Sequence, residues 1–171
     1  MKQQQHSVFM QLKLKLNNNK SIFLLFIFSL IIGVIYGSFF LEKTTVNWKE
    51  INNFEAFITI LSRNIICSLI LIISTFFGSL LLKFFFVGNG LVLGLTISKF
   101  QSLDYLILVI PHGIIEIPSF LYLGYILIKA IDQNKFTLKT LKGVGLSIIL
   151  LIIAALIESY ITPNLIKFII N

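Results

Sequence analysis

The chain alternates long apolar runs with short polar breaks. Met1 to Lys20 is polar and carries Lys2, Lys13, Lys15 and Lys20. Residues 21–41 are then almost continuously apolar. At about 1.5 Å per residue, roughly twenty helical residues cross a hydrocarbon core about 30 Å thick. This run therefore predicts a membrane span. It is too long for a signal-peptide core and no clear small-residue cleavage site follows, so it is expected to stay attached. Further apolar runs at 64–82, 84–98, 105–128 and 143–161 predict four more spans. The expected architecture is all-α: a polytopic bundle of about five spans, with residues 1–20 as a basic cytoplasmic segment and 21–171 as the membrane domain.

Two stretches break this regularity. Between 84 and 98 the run is short, and Gly88, Asn89 and Gly90 interrupt its middle. A short, broken or re-entrant helix is expected there. Between Glu42 and Ser62, Trp48, Ile51, Phe54, Ile58 and Leu61 recur every three or four residues among Lys49, Glu50, Asn52, Asn53 and Glu55. That pattern predicts an amphipathic helix lying in the interface, anchored by Trp48; a plain connecting loop is the alternative. Gly33 and Gly37, and again Gly90 and Gly94, sit four apart, a spacing that permits close helix packing within one chain or between chains.

Composition agrees with a membrane protein. Hydrophobic residues make up 57% of the 171, and charged residues only 12%. A soluble domain averages about 45–50% apolar and about 25% charged. The mean hydropathy is +0.95. The net charge of +7 does not read as nucleic-acid binding, because the lysines sit at segment ends. With the N-terminus inside and five spans, Lys2, Lys13, Lys15, Lys20, Lys83, Lys129, Lys135, Lys139 and Lys142 lie inside. Lys43, Lys49, Arg63, Lys99 and Lys167 lie outside. The positive-inside bias thus favours a cytoplasmic N-terminus and an extracytoplasmic C-terminus. Cys67 is the only cysteine; it excludes an intrachain disulfide and reads as packing. No P-loop, dinucleotide fingerprint, paired-cysteine metal motif or internal repeat is present.

Three ionisable residues fall inside predicted spans: His112, Glu116 and Glu158. A charge at the centre of a span costs on the order of 3 kcal/mol on insertion scales, so each asks for a reason. His112 and Glu116 are four apart and share a helix face. Pro111 and Pro118 flank them, so residues 110–120 are expected to be kinked or partly unwound. Glu158 and Asn89 are placed to join this cluster. Three readings are open. The cluster is hydrogen-bonded glue between helices. Or it binds a proton, an ion or a peptide segment. Or His112 with one or both glutamates holds a metal or acts as acid and base on a peptide bond. Ser119 is close in sequence, but no serine or cysteine nucleophile stands clearly beside a base. No cofactor is assigned.

The same residues carry a resemblance. Gly88 to Gly94 (GNGLVLG) is similar to an Asn-Gly-x-x-x-Gly turn, and Ile110 to Pro118 (IPHGIIEIP) to a Pro-His-Gly-x-x-Glu-x-Pro segment. Ala154 to Pro163 (AALIESYITP) is similar to an Ala-x-x-x-Glu-x-x-x-x-Pro stretch. In that order and spacing they resemble the stage II sporulation protein M family of multispan bacterial and archaeal membrane proteins, from about Asn53 onward. The structural motif residues carried over are Gly88, Asn89, Gly90, Gly94, Pro111, Gly113, Pro118 and Pro163. The resemblance implies a membrane scaffold or transport-associated subunit that gathers cell-wall hydrolases in sporulating members. It implies, alternatively, a component for circular bacteriocin maturation or export that works with an ATPase subunit on a peptide precursor. In that alternative His112, Glu116 and Glu158 are the candidates for peptidase or cyclase chemistry. The sporulation members tend to lack the histidine and glutamate of the central motif, and this chain has both.

Overall fold

The computed structural model describes residues 2–43, 52–100 and 106–164, with side chains placed for 21–43, 52–100 and 113–164. Five long helices follow one another: α1 (Lys2–Phe40), α2 (Asn53–Ser74), α3 (Ser79–Ser98), α4 (Leu106–Asp132) and α5 (Leu138–Tyr160). Each contains a stretch long and apolar enough to cross a membrane. The described residues contain no strand ladder, so the all-α polytopic bundle read from the sequence is what the chain forms. Phe28, Phe39, Phe76, Leu80 and Phe84 are all exposed. Lipid is the solvent that tolerates such a surface, because it is as apolar as the side chains themselves. The main buried cluster comprises Ile22 and Phe26 from α1, Leu71 from α2, Leu82 and Phe86 from α3, and Leu123, Leu127 and Ile128 from α4. Leu151, Ala154 and Ala155 of α5 are buried as well.

Helix boundaries depart from the apolar runs at several points. Helix α2 begins at Asn53, capped by the Asn52 side chain on the Phe54 N–H at 3.0 Å. Residues 53–62 are therefore the first turns of α2 and not a separate interfacial helix, and Arg63 lies inside α2 instead of flanking it. Trp48 and residues 44–51 lie outside the described residues. Helix α3 is continuous through Gly88-Asn89-Gly90 and spans 20 residues. The expected interruption lies further upstream. A single 3-10 turn, Thr75–Phe77, ends at Gly78, whose φ of 90° and ψ of 179° start α3. Lys83 thereby falls within α3. The physical reason is that backbone groups in lipid find no water. A helix holds its hydrogen bonds through flexible residues and breaks only where the chain must reverse.

Gly78 occupies a backbone region that is essentially restricted to glycine. Gly78→Ala should cost about 1–3 kcal/mol of stability in detergent unfolding. Gly88→Ala, where a Cβ would meet nothing within 4 Å, should change little. Equal effects at the two positions would refute the assignment of strain to Gly78.

The α4–α5 turn is built differently. The Lys135 N–H bonds the Ala130 carbonyl at 3.2 Å and the Asn134 N–H bonds the Ile131 carbonyl at 2.9 Å. Asn134 has φ of 48°. This is a Schellman ending with asparagine in the left-handed position. Thr137 and Thr140 then form a capping box that opens α5.

Helices α1 and α3 approach closely where small residues face each other. A Cβ on Gly33 would strike the Leu91 carbonyl oxygen, and one on Gly94 the Leu30 carbonyl oxygen. One on Gly90 would meet the Ser29 hydroxyl, and one on Gly37 the Ser98 hydroxyl. Ser29, Gly33 and Gly37 thus face Gly90, Gly94 and Ser98, each pair separated by 61 positions. A constant separation means the two helices run parallel. Helix α2 returns between them, and α4 and α5 form an antiparallel pair in which Gly143 admits Ile126. Gly124 of α4 admits Phe86 and Leu82 of α3, which seats α4 against that pair.

Candidate functional site

Glu116 lies ten residues past the start of α4, about 15 Å into the helix. It is buried, 8% exposed, and its Oε2 accepts a hydrogen bond of 3.2 Å from Asn64 Nδ2 on α2. Asn64 is itself 4% exposed. Asn64 stands at the edge of an apolar run, where an asparagine looks like a span boundary. A signal was present. Asn64, Ser68, Leu71 and Ser74 recur every three or four residues and form the buried face of α2. Ser68 donates to the Asn64 carbonyl at 2.8 Å, so this polar face is satisfied from within.

Helix α4 stays α-helical from Leu106 to Asp132, through both prolines. The expected unwinding of residues 110–120 does not occur. Pro118 deprives the Ile114 carbonyl of its usual donor. The neighbouring Ile115 carbonyl accepts a bond from the Ser119 hydroxyl at 2.5 Å. Ser119, 1% exposed, is thus occupied within its own helix. Gly113 packs loosely, a Cβ there meeting only Ile117 Cδ1 at 3.8 Å. The side chains of Pro111 and His112 lie outside the described residues.

Glu158 stands on α5, the helix that pairs with α4. Ile126 opposite Gly143 fixes the register of α4 against α5. Counting outward by fourteen and fifteen residues sets the backbones of His112 and Glu158 at about the same depth. Glu116 is about one helical turn deeper. Glu158 is half-buried, two residues before the end of α5, with Pro163 just beyond. Among the described residues no three His, Cys, Asp or Glu side chains gather as a metal group; any set built on His112 lies outside them.

Asn89 and Glu116 both border a recess between α1, α3 and α4. Its lining is Phe26, Phe85, Phe86, Asn89, Leu93, Glu116, Ile117, Phe120 and Leu121, and its volume is about 60 Å³. The Phe85 ring lies 5.5 Å from that of Phe86, edge to face, and 6.1 Å from that of Phe120. Asn89 Nδ2 donates to the Phe85 carbonyl at 2.8 Å. Glu116 therefore has two settings at once, bonded to α2 and bordering this aromatic recess.

No curated protein and no solved structure matches the chain. A family model does: that of stage II sporulation protein M matches residues 21–163, which include all five apolar spans and the three motifs above. The chain is an integral membrane protein and belongs to the stage II sporulation protein M family.

Proposed function

We propose that this protein is a membrane scaffold, a subunit that holds partner proteins in a larger complex. The Glu116–Asn64 hydrogen bond carries this reading. It joins α2 to α4, so the carboxyl serves as a strut within the bundle. The proposed orientation places the N-terminus in the cytoplasm. Lys83, Lys129, Lys135, Lys139 and Lys142 fall near the end where α2 turns into α3 and α4 into α5, and Lys2, Lys13, Lys15 and Lys20 lie in the N-terminal half of α1. This end offers partners a basic surface next to anionic lipid.

The test is recovery of partners with the tagged protein in mild detergent, for wild type and for Glu116→Gln. A glutamine keeps the acceptor that Asn64 needs. The scaffold reading expects an unchanged set of partners, with cell-wall hydrolases among them. A Glu116→Gln protein that inserts and folds normally but loses its partners would sink it.

A second reading is favoured by the recess. A carboxyl bordered by phenylalanines inside a span is a place to bind, not only to brace. It supports a role in maturing or exporting a peptide, with an ATPase subunit as the source of energy. Recovery of an ATPase and a peptide precursor would select this reading. The catalytic variant of it expects peptide processing to fail when His112, Glu116 or Glu158 is replaced singly.

A further inference from the structure

Every polar group that borders the recess presents an acceptor. Asn89 shows this most clearly. The Phe85 carbonyl can only accept, so the Asn89 atom facing it at 2.8 Å must be the NH2 group. The amide is thereby oriented, with its Oδ1 as the acceptor and one N–H left to other partners. Glu116 contributes a carboxyl, a group with roughly four lone-pair directions, whose Oε2 takes the bond from Asn64. The remaining walls are aromatic or aliphatic. Phe26, Phe85, Phe86 and Phe120 supply rings whose faces carry partial negative charge.

Acceptors beside aromatic rings suit one ligand chemistry. An anion would meet the carboxyl and the ring faces unfavourably. A neutral alcohol has a single donor for two acceptor groups. An alkylammonium has three N–H donors, a positive charge for the rings and a stem for the aliphatic wall. The volume sets the size. A water needs about 10–15 Å³ in the same measure, so 60 Å³ holds about five non-hydrogen atoms. That is an ammonium head with a short carbon stem. We propose that the recess between α1, α3 and α4 binds a primary alkylammonium group, with Glu116 and Asn89 Oδ1 accepting its N–H donors and the phenylalanines enclosing it. This goes beyond the scaffold reading and does not depend on it.

The probe is n-butylammonium chloride, added to the purified full-length protein in a non-ionic detergent at constant ionic strength. Ligand-observed NMR reads binding. Saturable binding with a Kd on the order of millimolar is expected, as suits a ligand this small. Two controls share parts of its chemistry. Butanol keeps the stem and loses the charge. Tetramethylammonium keeps the charge and loses every N–H. Each should bind at least tenfold more weakly. Glu116→Gln should weaken n-butylammonium at least tenfold. Phe120→Leu, which keeps an apolar wall and removes a ring, should weaken it several-fold and covers the case in which the first variant fails to fold. No saturable binding to wild type, equal binding of butanol, or affinity unchanged in both variants would overturn the proposal. Partner recovery is read separately, so failure here leaves the scaffold reading standing.

Discussion

Replacing Gly94 with isoleucine should separate α1 from α3 and unfold much of the bundle in mild detergent. The reason lies in the backbone approach, not in glycine's flexibility. A Cβ at this position would meet the Leu30 carbonyl oxygen, the Val34 nitrogen at 2.8 Å and the Gly33 Cα at 2.9 Å. All three are main-chain atoms, so no rotamer change can make room. Inserting methylenes into a packed core costs about 1–3 kcal/mol where side chains can shift. Here the helices themselves must move apart, and the cost should reach or exceed the top of that range. In lipid there is no hydrophobic force to draw the helices together again, because association rests on van der Waals contact. Gly145→Ile is the matched control, since a Cβ there meets nothing within 4 Å. Thermal unfolding in detergent should show a large loss for Gly94→Ile and little for Gly145→Ile. A fully stable Gly94→Ile protein would contradict the parallel α1–α3 pairing.

The second large effect is expected at Asn64. Asn64→Leu removes the donor and leaves the Glu116 carboxyl buried without it. The hydrogen bond itself is worth little. Side-chain bonds between membrane helices average about 0.6 kcal/mol, with a maximum of about 1.7. Leaving a buried acceptor without its partner costs more, about 1–3 kcal/mol. The single replacement should therefore destabilise by more than the bond's own worth. Glu116→Gln should be close to neutral. The double replacement Asn64→Leu with Glu116→Leu should recover part of the loss, because both polar groups then leave the core together. A double-mutant cycle in unfolding free energy reads this directly. If the losses simply added, the two side chains would not be coupled.

Much of this was legible in the sequence, for a plain reason. Apolar runs about twenty residues long have one stable solution in lipid, so five runs meant five helices. The glycine pairs at 33/37 and 90/94 were also visible as close-packing positions. Their partners were not. Nothing in Ser29 or Ser98 announces that each lies opposite a glycine 61 positions away; that register exists only once two backbones touch. The interruption near Gly88 illustrates the opposite error. Gly-Asn-Gly is a turn signal in water, where solvent takes up the freed backbone groups. In lipid α3 runs through it, and the reversal falls at Gly78-Ser79, a turn pair set inside an otherwise apolar run.

The candidate site divides in the same way. Glu116 stood out because a carboxyl in an apolar run is costly wherever it lies. Asn64 did not, because an asparagine at the edge of a run looks like the end of a helix. Asn89 is legible both as a helix breaker and as a polar group near Glu116; α3 runs through it unbroken, and it borders the same recess, its NH2 group held by its own helix.

The parallel pairing of α1 with α3 also dictates an order of events during synthesis. Gly33 cannot find Gly94 until 61 further residues have been made. At about 5–20 residues per second that takes roughly 3–12 s. Until then the glycine face of α1 has no partner from α3, and α2 must insert and turn at Gly78 before the matching face arrives. Closure of this pair is therefore a late step, taken after the ribosome has passed the third helix. A nascent chain stopped before Ser98 would leave α1 as an open helix in the membrane, a ready target for quality-control proteases.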